Sequence, residues 1–372
     1  MAEKVQRIAN IINRVASPRL AEKWDNVGLL VGDYTADVEK VMVTLDVNQD
    51  VLESAIEQGV NMIISHHPMI FSKIKSIRAD RPKGKMIIDA IKNDLNIFAA
   101  HTNLDIAEGG INDLLAQRLN LEKVEPLTIN SSEDLFKLVV YIPAGHEEEL
   151  RMAISEEGAG WIGKYSHCTF QTSGTGTFKP MEGTDPFIGR HGELEKVKEV
   201  RLETIVPASR LNKVIRTMVK VHPYEEVAYD IYPLKNSGKV YGLGRVGYLQ
   251  EEKPYQDVID MIKDKLELDS LRYMGDLGES IKKIAICSGS GADYIQNAAF
   301  KGADLYLTGD IKLHDAQLAE SLGLSLIDAG HYGTEVICVP YLYTLLKDEI
   351  EEKSLDFEVI QYNKSTDPLK LY

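Results

Sequence analysis

Val60-Asn-Met-Ile-Ile-Ser-His-His-Pro68 runs an apolar stretch directly into two adjacent histidines and a proline. A short apolar run of this kind reads as a strand buried on both faces. Working outward, Val38–Leu45 reads as a strand and Gln49–Gln58 as a helix. Residues 83–94 read as another helix and Leu95–Ala100 as another strand. The order β-α-β-α-β predicts an α/β fold with a mainly parallel, sandwiched sheet. Ligands of such sheets gather beyond the carboxyl ends of the strands, where His66, His67 and His101 all fall.

The end of the chain repeats the scheme. With a shift of 243 residues, Gly59 meets Gly302, the strand Val60–Ser65 meets Ala303–Thr308, and His67 meets Asp310. With one residue inserted, Leu95–His101 meets Leu324–His331, and Asp105 and Glu335 then stand four residues after His101 and His331. Two related α/β halves about a pseudo-two-fold are expected, with a polar cluster where their strand ends meet. Between them, Phe136–Pro143, Tyr165–Phe178, Val197–Val206 and Glu226–Tyr232 read as strands, and His146–Gly158 and Ser209–Val221 as helices. That β-α-β-β-α-β order is the ferredoxin-like α+β pattern. The expected division is therefore a first core half at 1–126, an insert at 127–240 and a second core half at 241–372.

Composition excludes several classes. No apolar run reaches membrane-spanning length, and the N-terminal stretch reads as an amphipathic helix rather than a secretion signal. Three widely separated cysteines suggest neither a disulfide framework nor a zinc knuckle, so a cytoplasmic protein is expected. Forty-two basic against fifty-seven acidic residues give a net charge of −15, which disfavours nucleic acid and anionic membranes as partners. The basic run Lys73, Lys75, Arg78, Arg81, Lys83 and Lys85 reads as a solvated loop. No Walker A loop, dinucleotide-binding glycine fingerprint or nucleophile elbow is present. Ser288-Gly-Ser-Gly-Ala292 is a weak candidate for an anion-binding turn.

Imidazoles and carboxylates together are a transition-metal ligand set, and carboxylates can bridge two ions. After the strand ends at Pro68, His66 and His67 can face one cleft. His331 and Glu335 have helical spacing and can face the same way. The bland alternatives are a surface His-His pair, a dipole-capping Glu335 and a turn residue at Asp105. Taken together, His66, His67, Asp105, His331 and Glu335 make five candidate ligands, enough for two carboxylate-bridged ions roughly 3.5–4 Å apart with positions left for water or substrate. His101, Asp310 and His314 are the candidates for proton transfer or ligand orientation. Trp24-Asp-Asn-Val-Gly-Leu29 either lines the same cleft or packs the first helix.

Trp24–Leu29, Ser65-His-His-Pro68, His101-Thr-Asn-Leu-Asp105, Gly242-x-Gly-Arg-Val-Gly247, Thr308-Gly-Asp310 with His314, and His331-Tyr-Gly-Thr-Glu335 stand in this order. As an ordered set they resemble the GTP cyclohydrolase 1 type 2 homologs, the NIF-three-like family. Relatives often carry Glu where Asp310 stands, which keeps a carboxylate. The insert, with His222-Pro-Tyr-Glu-Glu226, resembles the PII/CutA-like domain of longer bacterial members. The resemblance implies a site of two divalent ions, zinc or iron, held by the same five residues. It also implies a toroidal homohexamer, a trimer of dimers, with the sites facing an internal cavity. The expected function is metal-dependent hydrolysis of a small molecule, a purine nucleotide such as GTP or a phosphoester. The alternative is a non-catalytic metal-handling or regulatory adaptor.

Overall fold

The structure, a computed structural model, describes residues 2–370. Met62–Ser65 is buried throughout and pairs in parallel with Lys40–Thr44 on one side and Asn96–Ala99 on the other. The helices Gln49–Glu57 and Pro82–Lys92 supply the crossovers. Asn48 starts the first of these, its side chain accepting a hydrogen bond from the Val51 amide. The second half repeats this as Ser280–Ser290, Leu305–Gly309 and Ser325–Asp328, again parallel neighbours.

Each sheet is closed by antiparallel edge strands. Gly28–Val31 lies beside Asn96–Ala99, and Arg272–Met274 beside Ser325–Asp328. Arg245–Pro254 and Glu122–Pro126 complete the six-stranded second sheet. One edge crosses the division expected from sequence: the C-terminal strand Glu358–Gln361 pairs in parallel with Lys40–Thr44 of the first sheet. The long helix Cys338–Lys353 carries the chain there. Ile64 and Phe98 of the first sheet share one core with Ile284, Ile286 and Leu305 of the second. Each such side chain contributes about 1.5–3 kcal/mol on burial. Among the described residues, no helix is long and apolar enough to cross a membrane.

The chain divides into two compact units, residues 1–130 with 241–372, and residues 131–240. The first unit keeps four residues more than the expected boundary at 126. Leu127 is buried in its core, and the Leu127, Thr128 and Asn130 amides bond to the Gly244, Leu243 and Tyr241 carbonyls. The second unit orders its four antiparallel strands Thr169–Phe178, Glu195–Pro207, Leu135–Pro143 and Tyr229–Pro233. Helices Glu147–Glu156 and Ala208–Val221 bury Leu150, Ile154, Val214 and Met218 against Leu138, Val140 and Leu202. The last strand starts at Tyr229 rather than at Glu226. His222-Pro-Tyr-Glu-Glu226 is instead folded into a turn in which His222 Nδ1 accepts from the Tyr224 amide at 3.1 Å.

Candidate metal centre

Three strand ends of the first unit, those of Met62–Ser65, Asn96–Ala99 and Ser325–Asp328, deliver the polar cluster. His66 and His67 follow Met62–Ser65 directly, and their amides still bond to the Thr44 and Leu45 carbonyls. The chain bends there, and the two rings lie on one side, 5.0 Å apart. His101 caps the short helix Thr102–Ile106, which carries Asp105. His331 and Glu335 begin and end the helix His331–Glu335. The long helix begins only at Cys338, after a short break, so Glu335 does not cap its start.

Each imidazole is anchored from outside by its Nδ1. His66 donates to the Ala100 carbonyl at 2.8 Å, and His67 donates to Asp46 Oδ1 at 2.7 Å. His331 donates to Asp310 Oδ2 at 2.7 Å, and His101 to Asp25 Oδ1 at 2.8 Å. Such an anchor selects one tautomer and leaves each Nε2 lone pair facing inward, as metal-ligating histidines require. Glu335 lies between them. Its Oε1 is 3.7 Å from His66 Nε2, while its Oε2 is 2.9 Å from His67 Nε2 and 3.1 Å from His331 Nε2. Asp105 Oδ2 is 3.8 Å from His66 Nε2.

His66 Nε2 and Glu335 Oε2 are buried without an aligned hydrogen-bond partner. A bare imidazole lone pair facing two carboxylates is costly unless a cation joins them. The donor atoms fall into groups that can hold an ion: His66 with Asp105 and Glu335, and His67 with His331 and Glu335. Glu335 belongs to both groups. A third group joins His66 and His67 to His101. The residues present therefore fit divalent metal.

Electrostatics agree. Burial pushes the His67 pKa down, but the Asp46 and Glu335 carboxylates outweigh it and raise it to about 10. His331 rises to about 9 against the same opposition, through Glu335 and Asp310. Burial raises Asp105, whereas Glu335, ringed by His66, His331 and His67, falls well below the usual carboxylate range despite its burial. A pKa raised by folding stabilises the fold fully below its ordinary value of 6.5, and that gain is lost as pH climbs through the raised value. Metal-free protein is therefore expected to lose melting temperature between pH 7 and 10. Metal-loaded protein should hold or gain over that window, because the ions compete with the same protons. A metal-free melting temperature that rises with pH would contradict this.

The outer contacts reach across both sheets. Ser288 Oγ donates to Asp105 Oδ1 at 2.8 Å and accepts from Asn112 Nδ2 at 3.1 Å. The Ser288 and Gly289 amides donate to Asn112 Oδ1 and Thr334 Oγ1. Both amides are thus already bonded inside the protein and are not free for an anion. Gly289 (φ +62°) is required by close approach: a Cβ at this position would lie 2.1 Å from Glu335 Oε1. Ser288→Ala frees Asp105 to rotate and is expected to weaken metal binding about 10–100-fold, read by competition with a chelator. Unchanged affinity would show that Ser288 does not orient Asp105.

Of the proton-transfer candidates, His101 stands inside the cluster, 5.1 Å from His66 and 5.6 Å from His67 between ring centres. Asp310 is half-exposed and serves as the anchor of His331. His314 lies exposed in the first turn of helix Leu313–Ser321, bonded to Gln317 Oε1 at 3.0 Å, apart from the groups that could hold an ion. Sequence reading missed Asp46 and Ser288 as supports, although Asp46 stands two residues after the strand Lys40–Thr44, at the end where ligands gather. Trp24–Leu29 lines the cleft: Asp25 anchors His101 and accepts from the Thr102 amide at 3.1 Å, and Asn26 Nδ2 donates to the Ile70 carbonyl.

Fold and site together define a two-sheet α/β protein with a buried histidine–carboxylate cluster suited to metal. The family model Duf34/NIF3 (NGG1p interacting factor 3) matches residues 3–368, and the chain belongs to this family. Proteins named GTP cyclohydrolase 1 type 2 homolog are its relatives. The one from Bacillus subtilis is 46% identical over 339 residues, covering 91% of each chain. The one from Halalkalibacterium halodurans is 43% identical over 363 residues, covering 98% of this chain and 97% of the relative. The crystal structure of a Bacillus cereus protein related to NIF3 superposes with a TM-score of 0.93 at 43% identity, each chain covered in full.

Proposed function

We propose that the chain holds two divalent ions, zinc or iron, and hydrolyses a purine nucleotide such as GTP. His66 and Asp105 would serve one ion, His67 and His331 the other, with Glu335 bridging. The observation that carries this reading is the fully buried His66 Nε2, whose lone pair faces Asp105 and Glu335 with no hydrogen bond. Bound divalent ions supply Lewis acidity and a water acidified towards neutral pH.

The protein's own groups do the rest. Asp46, Asp310 and the Ala100 carbonyl fix the imidazoles in the accepting tautomer. His101, backed by Asp25, presents Nε2 beside His66 and His67 and would carry a proton to or from a ring nitrogen of the substrate. Trp24 and Phe71 are each 59% exposed and lie 6.0 and 6.3 Å from the His101 ring, an open aromatic surface on which a flat base can stack. The test incubates metal-loaded protein with GTP and measures formate and phosphate. Release of neither removes GTP as the substrate, and His101→Ala should abolish any release while leaving bound metal unchanged.

The same reading takes the assembly to be a homohexamer. Six chains of 41.6 kDa would give roughly 250 kDa in light scattering, and a monomer mass would contradict it.

A further inference from the structure

The second unit holds a cavity of about 320 Å³, the size of a small organic molecule, whose lining comes entirely from residues 141–228. Four aromatic residues, Tyr141, Phe178, Phe187 and Tyr224, stand in its walls. Phe178 and Phe187 stand 5.6 and 6.4 Å from the Tyr224 ring, at steep angles to it. Tyr224 is held in place by its neighbours. His222, itself buried, donates from Nε2 to the Tyr141 carbonyl at 3.0 Å and accepts the Tyr224 amide at Nδ1. Burial lowers the His222 pKa, which keeps the neutral tautomer that both bonds require.

Glu199 is the lining carboxylate that Tyr224 holds in place. Tyr224 Oη donates to Glu199 Oε1 at 3.0 Å, and burial with the adjacent carboxylate raises the tyrosine pKa, so it stays a donor. Among the described residues Glu199 has no ion-pair partner. Its second oxygen occupies space that a side chain at Gly176 would fill, 2.0 Å from where a Cβ would stand. Glu225 and Glu226 add two carboxylates to the lining and Lys179 one cation, so the wall is net negative. Glu225 already accepts from the Asp185 amide. A carboxylate with a free oxygen among ring faces and edges attracts a positive charge on an apolar body, through an ion pair and cation–π contact.

We propose that this cavity is a binding site for a small organic ammonium ion, with Glu199 as counter-ion and Phe178, Phe187 and Tyr224 as its walls. The proposal is independent of the metal centre, since no lining residue belongs to the first unit. It gives the second unit a sensing role, with His222-Pro-Tyr-Glu-Glu226 as the segment that positions Tyr224.

The test is calorimetric titration of the full, metal-loaded chain with 2-phenylethylammonium, with neutral 2-phenylethanol in parallel. The ammonium is expected to bind at millimolar concentration or tighter, and the alcohol at least about tenfold more weakly. Glu199→Gln keeps shape and should weaken the ammonium at least about tenfold while leaving the alcohol unchanged. Tyr224→Phe, which keeps the ring, should weaken it by less. No binding of the ammonium, equal binding of the two probes, or an unaffected Glu199→Gln variant would each overturn the proposal.

Discussion

Glu335→Ala is expected to reduce bound metal from about two ions per chain to well below one, the largest effect of any single change in the cluster. Glu335 is the one side chain shared by the two carboxylate-containing donor groups. Without it, the first of these groups keeps only His66 and Asp105 and the second only His67 and His331. Two protein ligands per ion fall short of the three that open catalytic sites keep. Glu335→Gln should do nearly the same, because the amide retains volume but loses the charge that offsets the imidazoles and ions. Elemental analysis of anaerobically purified protein reads the result directly. A variant that keeps its full metal content would remove Glu335 from the site.

Arg245→Met is expected to cost about 3–5 kcal/mol of stability, with little direct effect on the metal ligands. The Arg245 side chain is 5% exposed and grips Asp113 with two nitrogens, at 2.5 and 2.8 Å. Its remaining donors reach the Gly242, Gly244 and Ala107 carbonyls at 2.8–3.0 Å. It therefore ties the strand Arg245–Pro254 to the chain around Ala107 and Asp113 in the other half. Methionine keeps the length but leaves Asp113 and three carbonyls without these donors. The urea midpoint should fall while the slope stays the same. Arg245→Met with Asp113→Leu should recover part of the loss, since removing both members of a buried pair is milder than removing one. A single variant as stable as the parent would show the network to be dispensable.

Most of the core was legible because its strands are buried on both faces. Met62–Ser65 and Ser325–Asp328 are buried throughout around the apolar residues Met62–Ile64 and Leu326–Ile327, and their ends mark where ligands collect. The internal repeat was legible for the same reason: His101 with Asp105 and His331 with Glu335 keep one spacing. Long-range pairings were not. Glu358–Gln361 joins the first sheet through backbone bonds that no local pattern announces. Asp46 and Ser288 look like ordinary loop and strand residues until the fold brings them to His67 and Asp105. His314 is near Asp310 in sequence, but its ring bonds Gln317, a contact that no local pattern announces. The glycine-rich strand in the second unit read as plain β-structure, and only its folding against Glu199 and Tyr224 reveals a cavity.

Anomalous diffraction at the metal absorption edge, from crystals of metal-loaded protein, tests the central claim most directly. Two peaks roughly 3.5–4 Å apart on either side of the Glu335 carboxylate are expected, one beside His66 and Asp105 and one beside His67 and His331. A single peak away from Glu335, or none within the cluster, would contradict a bridged pair.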